Sequence, residues 1–209
     1  MSRRLLGTVD IGLKVGLVGL LLLAVLFPKL PQFAGKAMGG RVLAYGPAAL
    51  LVPAVWFIRL RRRPYPFTID ILFTLPFVID VAGNALDLYD TIEWWDDANH
   101  FVNWALLTSA ASLALARLNL GRLNRFALGV GFAAFTAIAW ELAEYATFIR
   151  ISPELTTAYN DTLGDLFLGT LGGSLASAVV AWLAADQRRA PNPRHPRAGG
   201  AATTLESAN

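Results

Sequence analysis

Residues Glu93 to Trp104 read EWWDDANHFVNW, an acidic and aromatic connection that turns into an apolar helix and carries His100. The other histidine, His195, lies in the C-terminal tail. Long apolar runs lie on both sides of this stretch, and their acidic residues fall at the same depth as His100 once the runs are threaded through a bilayer. The surroundings are unusual for a soluble chain. With 209 residues, 55% of them hydrophobic, and a mean hydropathy of +0.48, the composition predicts a single all-α membrane domain.

A helix rises 1.5 Å per residue and satisfies its own backbone hydrogen bonds, so about 20 apolar residues cross the hydrocarbon layer. Six stretches meet this requirement: Val9 to Phe27, Val42 to Leu60, Phe67 to Tyr89, Ala98 to Ala116, Phe126 to Ile149, and Thr162 to Leu183. The expected domain is therefore a polytopic six-helix bundle over residues 1–185, followed by a disordered cytoplasmic tail over 186–209, rich in Arg, Pro, Gly and Ala. The first run follows Arg3 and Arg4 and competes with a signal-peptide reading. Its length, and Phe27-Pro28-Lys29 where small residues would be needed for cleavage, favour an uncleaved anchor. Pro47 and Pro53 are expected to kink the second span without ending it.

Arginines cluster in alternate connections: Arg3 and Arg4, Arg59 with Arg61 to Arg63, Arg117 with Arg122 and Arg125, and Arg188, Arg189, Arg194 and Arg197. Only Lys29, Lys36, Arg41 and Arg150 fall on the other side. The positive-inside rule then predicts cytoplasmic termini and a multi-pass protein of a bacterial inner membrane, with Asp90 to Asp97 facing outward. The same segregation argues against nucleic acid as a partner, because no continuous basic stripe is present. The absence of cysteine excludes disulfides and thiolate chemistry.

In this topology four spans carry acids at the outer level. Asp80, Asn84 and Asp87 form one stripe late in span three; Asp96, His100 and Asn103 share a face of span four; Glu141 and Glu144 lie in span five; Asp161 and Asp165 open span six. A charge within the bilayer costs about 3 kcal/mol on insertion scales, so such residues face the bundle interior and mark functional sites. The ridge Asp161, Asp165, Gly169, Gly173 and Ser177, and the row Ala133, Ala137 and Glu141, put these acids on close-packing faces.

Carboxylates with one imidazole make an oxygen-rich ligand set suited to a divalent metal. The candidate ligands are Asp96, His100, Glu141, Glu144, Asp161 and Asp165, supported by Asp80, Asn84, Asp87 and Asn103. His100, Glu141 and Glu144 are the candidate catalytic groups, for a metal-assisted reaction or for general-base chemistry without metal. A proton or cation relay through the same acids is the competing chemistry. Simpler roles stand beside these: Asp97 and Asp161 as helix N-caps, Asp87, Asp90, Glu93 and Asp96 as a solvated loop, and Trp94, Trp95 and Trp104 as interfacial anchors. The bilayer itself and a lipid or envelope small molecule are the expected partners. A small permease and a structural assembly protein are the rival functions. Two core histidines with a basic motif, as in phosphatidic-acid phosphatases, and the serine motif of rhomboid proteases are both missing.

Asp96-Asp97-Ala98-Asn99-His100-Phe101, Trp140-Glu141-Leu142-Ala143-Glu144-Tyr145 and Asp161-Thr162-Leu163-Gly164-Asp165 resemble, in order, the motifs of the YjdF-type family of bacterial inner-membrane proteins. The likeness spans roughly Phe67 to Ser177 and implies a polytopic inner-membrane protein of an uncharacterised family, with Asp96, His100, Glu141, Glu144, Asp161 and Asp165 at the motif positions. A looser likeness is to VanZ-like membrane proteins, where Glu144 and Asp165 stand in place of Gln and Asn.

Overall fold

The computed structural model describes residues 1–118 and 120–189. Eight α-helices make up most of it: α1 (Arg3–Leu26), α2 (Met38–Ala49), α3 (Leu51–Val55), α4 (Phe67–Ala85), α5 (Leu88–Thr91), α6 (Trp95–Leu115), α7 (Arg122–Thr147) and α8 (Ala158–Arg189). Ser2 starts α1 as an N-cap, its hydroxyl accepting the amide of Leu5 at 3.3 Å. The second expected span is interrupted where its prolines demand it. Pro53 has no N–H to give one turn back, and the helix breaks at Leu50 before resuming as α3 and a π-helical turn, Trp56–Leu60. The indole of Trp56 then donates to the carbonyl of Arg63 at 2.9 Å, tying down the basic turn.

Most expected boundaries shift, and every span but the third begins three to six residues earlier. The third span stops at Ala85, four residues short, because Asp87 takes a left-handed conformation with φ of 61° and ends the helix as a C-terminal residue of that kind does. Asp87 thereby leaves the stripe it was expected to share with Asp80 and Asn84. At the other end of the chain α8 runs on to Arg189. The rest of the expected tail, with His195, lies outside the described residues.

The distribution of polarity is inverted relative to a soluble protein. Leu43, Phe57, Ile58, Phe135, Leu142, Phe167 and Val179 are exposed, whereas Asp70, Asp80, His100, Glu141 and Asp165 are buried. Such a surface is solvated by lipid, and its charges face inward. Five helical segments among the described residues are long and apolar enough to cross a membrane: Arg3–Leu26, Met38–Leu60, Phe67–Ala85, Arg122–Ile151 and Ala158–Leu183. The remaining expected span corresponds to α6, whose 21 residues are long enough but whose first half holds Asp96, Asp97, Asn99, His100 and Asn103. α6 packs against α4, α7 and α8, and Asn99, His100 and Asn103 are buried there.

Small residues let these helices approach. A Cβ built on Gly172 would lie 2.1 Å from the carbonyl oxygen of Phe101, and one on Gly173 would lie 2.3 Å from the methyl of Ala133. Gly169 sits against Trp104 and Ala137, and Gly129 against Ser177. The expected ridge on α8 is thus the seam between α8, α6 and α7. α1 packs on the other side of α4, with Leu17, Leu21, Tyr45, Ala49 and Val81 forming a separate apolar cluster.

Gly172→Ala is expected to destabilise the bundle by about 1–3 kcal/mol through overpacking against backbone. Gly131, with open space around it, gives the opposite sign on replacement by Ala, up to about 1 kcal/mol more stable by helix propensity. Unfolding of the two variants in detergent checks this, and equal behaviour would contradict the seam.

Candidate functional site

At one end of the bundle the C-terminal part of α4, the first turns of α6 and α8, and the last turns of α7 converge around His100. The imidazole is 5% exposed and lies nearly parallel to the indole of Trp104, at 7° and 5.4 Å between centroids. Trp104 is one turn along α6, so the stack is built into a single helix. Carboxylates flank both ring nitrogens. Nε2 is 3.7 Å from Asp96 Oδ1 and 3.7 Å from Asp165 Oδ1, and Nδ1 is 3.7 Å from Glu141 Oε1. These separations are longer than hydrogen bonds. Glu141 Oε2 accepts the hydroxyl of Thr162 at 3.1 Å, but Glu141 Oε1 is buried with no hydrogen-bond partner among the described residues.

Two groups have ligand atoms gathered within 4.8 Å of one another: Asp96, His100 and Asp165 on one side of the ring, and His100, Glu141 and Glu144 on the other. The buried cluster is therefore consistent with metal coordination, and its donor types fit a divalent ion.

Beside it lies a second polar assembly centred on Asp80. Arg41 of α2 donates through Nε to Asp80 Oδ2 at 2.8 Å and through Nη2 to Oδ1 at 3.5 Å, and its Nη1 donates to the carbonyl of Lys36. Tyr45 donates to Oδ2 at 2.5 Å and Tyr89 to Oδ1 at 2.8 Å. Asn84 donates to Asp80 Oδ1 at 3.3 Å. From Tyr89 the chain of bonds continues into α6: Asn99 donates to the Tyr89 hydroxyl at 2.7 Å, and Asn103 donates to Asn99 at 3.0 Å. Burial, followed by the neighbouring Asp80 carboxylate, pushes the Tyr89 phenol up from its ordinary value, so it stays a protonated donor. Arg41 also reaches Glu144, with Nη2 3.8 Å from Oε1. A cavity joins the two assemblies, with Arg41, Asp80, Asp96, His100, Trp104 and Glu144 in its wall.

The expected site residues divide accordingly. Asp96, His100, Glu141, Glu144 and Asp165 come together as one cluster. Asp80, Asn84 and Asn103 belong to the hydrogen-bonded network next to it. Asp161 is exposed at the surface, and Asp87 is drawn out of line by the end of α4. Neither Asp97 nor Asp161 is an N-cap: the helices begin earlier, at Trp95 and Ala158, and place both acids in first turns. Trp104 is buried against His100, so it is no interfacial anchor, whereas Trp94 is 61% exposed and fits that role.

Arg41, Tyr45, Tyr89, Asn99 and Thr162 carry no spacing signal that links them to the acids, and only the packing joins them. A second buried cluster lies toward the opposite end. Lys14 bridges Asp10 at 2.7 Å and Asp70 at 2.5 Å, and Tyr65 donates to Asp70. The Tyr65 phenol is pushed up by burial and by this bond. Here a signal existed, since Asp10 and Lys14 stand four apart within an apolar run.

The family model described as "Predicted membrane protein (DUF2238)" matches residues 13–186, which is 174 of the 209 residues. No curated protein and no solved structure matches the chain.

Arg41→Met is expected to destabilise the protein by about 3–5 kcal/mol, because it leaves the Asp80 carboxylate buried without its cation. Arg41→Met combined with Asp80→Asn recovers most of that loss. A double-mutant cycle of unfolding in detergent measures the coupling, and simple additivity would show that the pair is not what holds α2 to α4.

Proposed function

This chain belongs to the DUF2238 family of predicted membrane proteins, and we propose that it is a six-helix bacterial inner-membrane protein that binds a divalent metal at His100. Both termini are cytoplasmic in this reading, and the site faces outward and acts on a lipid head group or envelope metabolite. Support for the topology comes from the arginine distribution and from α6, whose polar half is covered by neighbouring helices. Within the family, the order of the motifs on α6, α7 and α8 supports a YjdF-type protein.

The observation that carries the metal reading is the unpaired, buried Glu141 Oε1 facing an imidazole that has carboxylates on both sides. A neutral imidazole binds a metal through one nitrogen while the other donates its proton to an orienting acceptor. Asp96, His100 Nε2 and Asp165 are favoured as ligands, because Glu144 on the other side already has Arg41 as its cation. Nδ1–H then turns to Glu141 Oε1, which satisfies the orphaned oxygen. Two atoms that each lie about 2.1 Å from one ion are about 3–3.5 Å apart, close to the 3.7 Å between Nε2 and each aspartate. A metal there supplies Lewis acidity toward an oxygen of the head group. Glu144, on the cavity wall, is left as the general base.

One observation favours a carrier instead: the Asp10, Lys14 and Asp70 cluster puts ionisable groups at the opposite end as well. Substrate-dependent proton flux in vesicles, abolished by Lys14→Met, is the result that reading requires.

Elemental mass spectrometry of the detergent-purified protein tests the metal reading. Near-stoichiometric metal is expected in the wild type and in Glu144→Gln, and loss of it in His100→Ala and Asp165→Asn with helicity retained. Occupancy also falls on acidification, because the ligands must be deprotonated to bind. Metal that survives both ligand substitutions, or none in the wild type after reconstitution with Zn, Mn, Mg or Ca, counts against the site.

A further inference from the structure

A second cavity lies between α2 and α7 and shares part of its wall with the cavity at His100. Gly40 and Ala44 of α2 and Ala143 and Thr147 of α7 line it, a spacing of four that presents one face of each helix, with Ala37 just before α2. These small residues leave room between the two helices, and Tyr45, Trp140 and Phe148 complete the lining. Gly40, Ala44, Ala143 and Thr147 are all exposed, and so are the adjoining large apolar residues Leu43 and Leu142. Both walls belong to segments long and apolar enough to cross a membrane, so the groove opens onto the surface that lipid solvates. Its inner end is polar. Arg41 and Glu144 line the groove and also the cavity that holds Asp80, Asp96 and His100.

We propose that this groove takes the acyl chain of a phospholipid and delivers its phosphoryl head group to Arg41 and the His100 site. The occupant must be apolar where α2 and α7 face each other and polar where the groove meets the cavity, which is the order of parts in a phospholipid entering sideways from the bilayer. Arg41 offers the anion-binding element. A guanidinium has five N–H groups, more than the acceptors that Asp80, Lys36 and Glu144 provide. The surrounding carboxylates of Asp80, Asp96, Glu141, Glu144 and Asp165 repel a phosphate unless a cation offsets them. The inference therefore rests on the metal reading for that charge, and it names the substrate class of the same site.

The test uses the full-length protein in phosphatidylglycerol nanodiscs, with two photoactivatable probes that differ only in head group: a diacyl phosphate and the corresponding uncharged diacylglycerol, each with a diazirine on one chain. Cross-links of the phosphate probe are expected to concentrate in residues 37–48 and 140–148. Gly40→Leu with Ala44→Phe fills the groove, and the added Cβ at Gly40 meets nothing within 4 Å. This double variant is expected to lower labelling there by about tenfold, the effect of losing as few as two buried methylene groups, while metal content stays at the wild-type level. The phosphate probe is expected to outcompete the uncharged one. Labelling spread evenly over the lipid-facing helices, labelling unaffected by the filled groove, or equal labelling by the two probes overturns the inference. Metal retained alongside any of those results leaves the metal reading standing. A metal-free wild type in which the two probes label the groove equally, and the double variant empties it, removes the metal reading and with it the delivery of the phosphoryl group.

Discussion

Asp80 is buried in the middle of four helices, and a carboxylate in that position persists only because Arg41 reaches across from α2 to meet it. The pair does more than neutralise charge. Tyr45 from α2, Asn84 from α4, and Tyr89 from α5 all donate to the same carboxylate, and Tyr89 passes the chain of bonds to Asn99 and Asn103 on α6. Without water to accept these groups, each bond holds its helix at one rotation and one height. The wall on which the His100 site stands is set in this way.

The opposite wall is set by shape. Glycines at 169, 172 and 173 bring α8 against α6 closely enough that Asp165 lies within 3.7 Å of the His100 ring. Alanines at 133 and 137 do the same for α7 and carry Glu141 to the other ring nitrogen. A close-packed seam on one side and a hydrogen-bonded network on the other leave a cavity between them, with Arg41 and Glu144 in its wall. The acids at His100 have no matching cations among the described residues except Arg41. The surplus of negative charge suits a metal, and by the same logic it makes any anionic ligand depend on that metal.

Toward the other end, Lys14 holds Asp10 and Asp70 in a compact ion cluster between α1 and α4. Leu17, Leu21 and Val81 pack in an apolar cluster between these two helices. The two polar regions are therefore distinct in character: one has every charge partnered by a neighbour, and the other keeps an orphaned carboxylate oxygen beside an imidazole.

Much of this was legible before any coordinates. The apolar runs specified helices, and repeats of three and four placed Asp165 on the glycine ridge and Glu141 on the alanine row, because side-chain direction along one helix follows from its period alone. Pro47 and Pro53 pointed to a kink in the second span, and the helix instead breaks at Leu50. Which partner each acid meets was a different matter. The meeting of Arg41 with Asp80, the stacking of Trp104 on His100, and the donation from Thr162 to Glu141 depend on the rotation of one helix against another. That rotation is decided by packing across loops, which sequence periodicity does not encode. Asp87 and Asp161 show the same limit from the other side: they lie in or near the right stripe, but the backbone at Asp87 turns left-handed and the first turn of α8 extends past its neighbours. The sequence by itself determined that acids and a histidine gather at one level of a helical bundle, and the tertiary structure decided which of them touch, because only contacts between helices select among residues of equal depth.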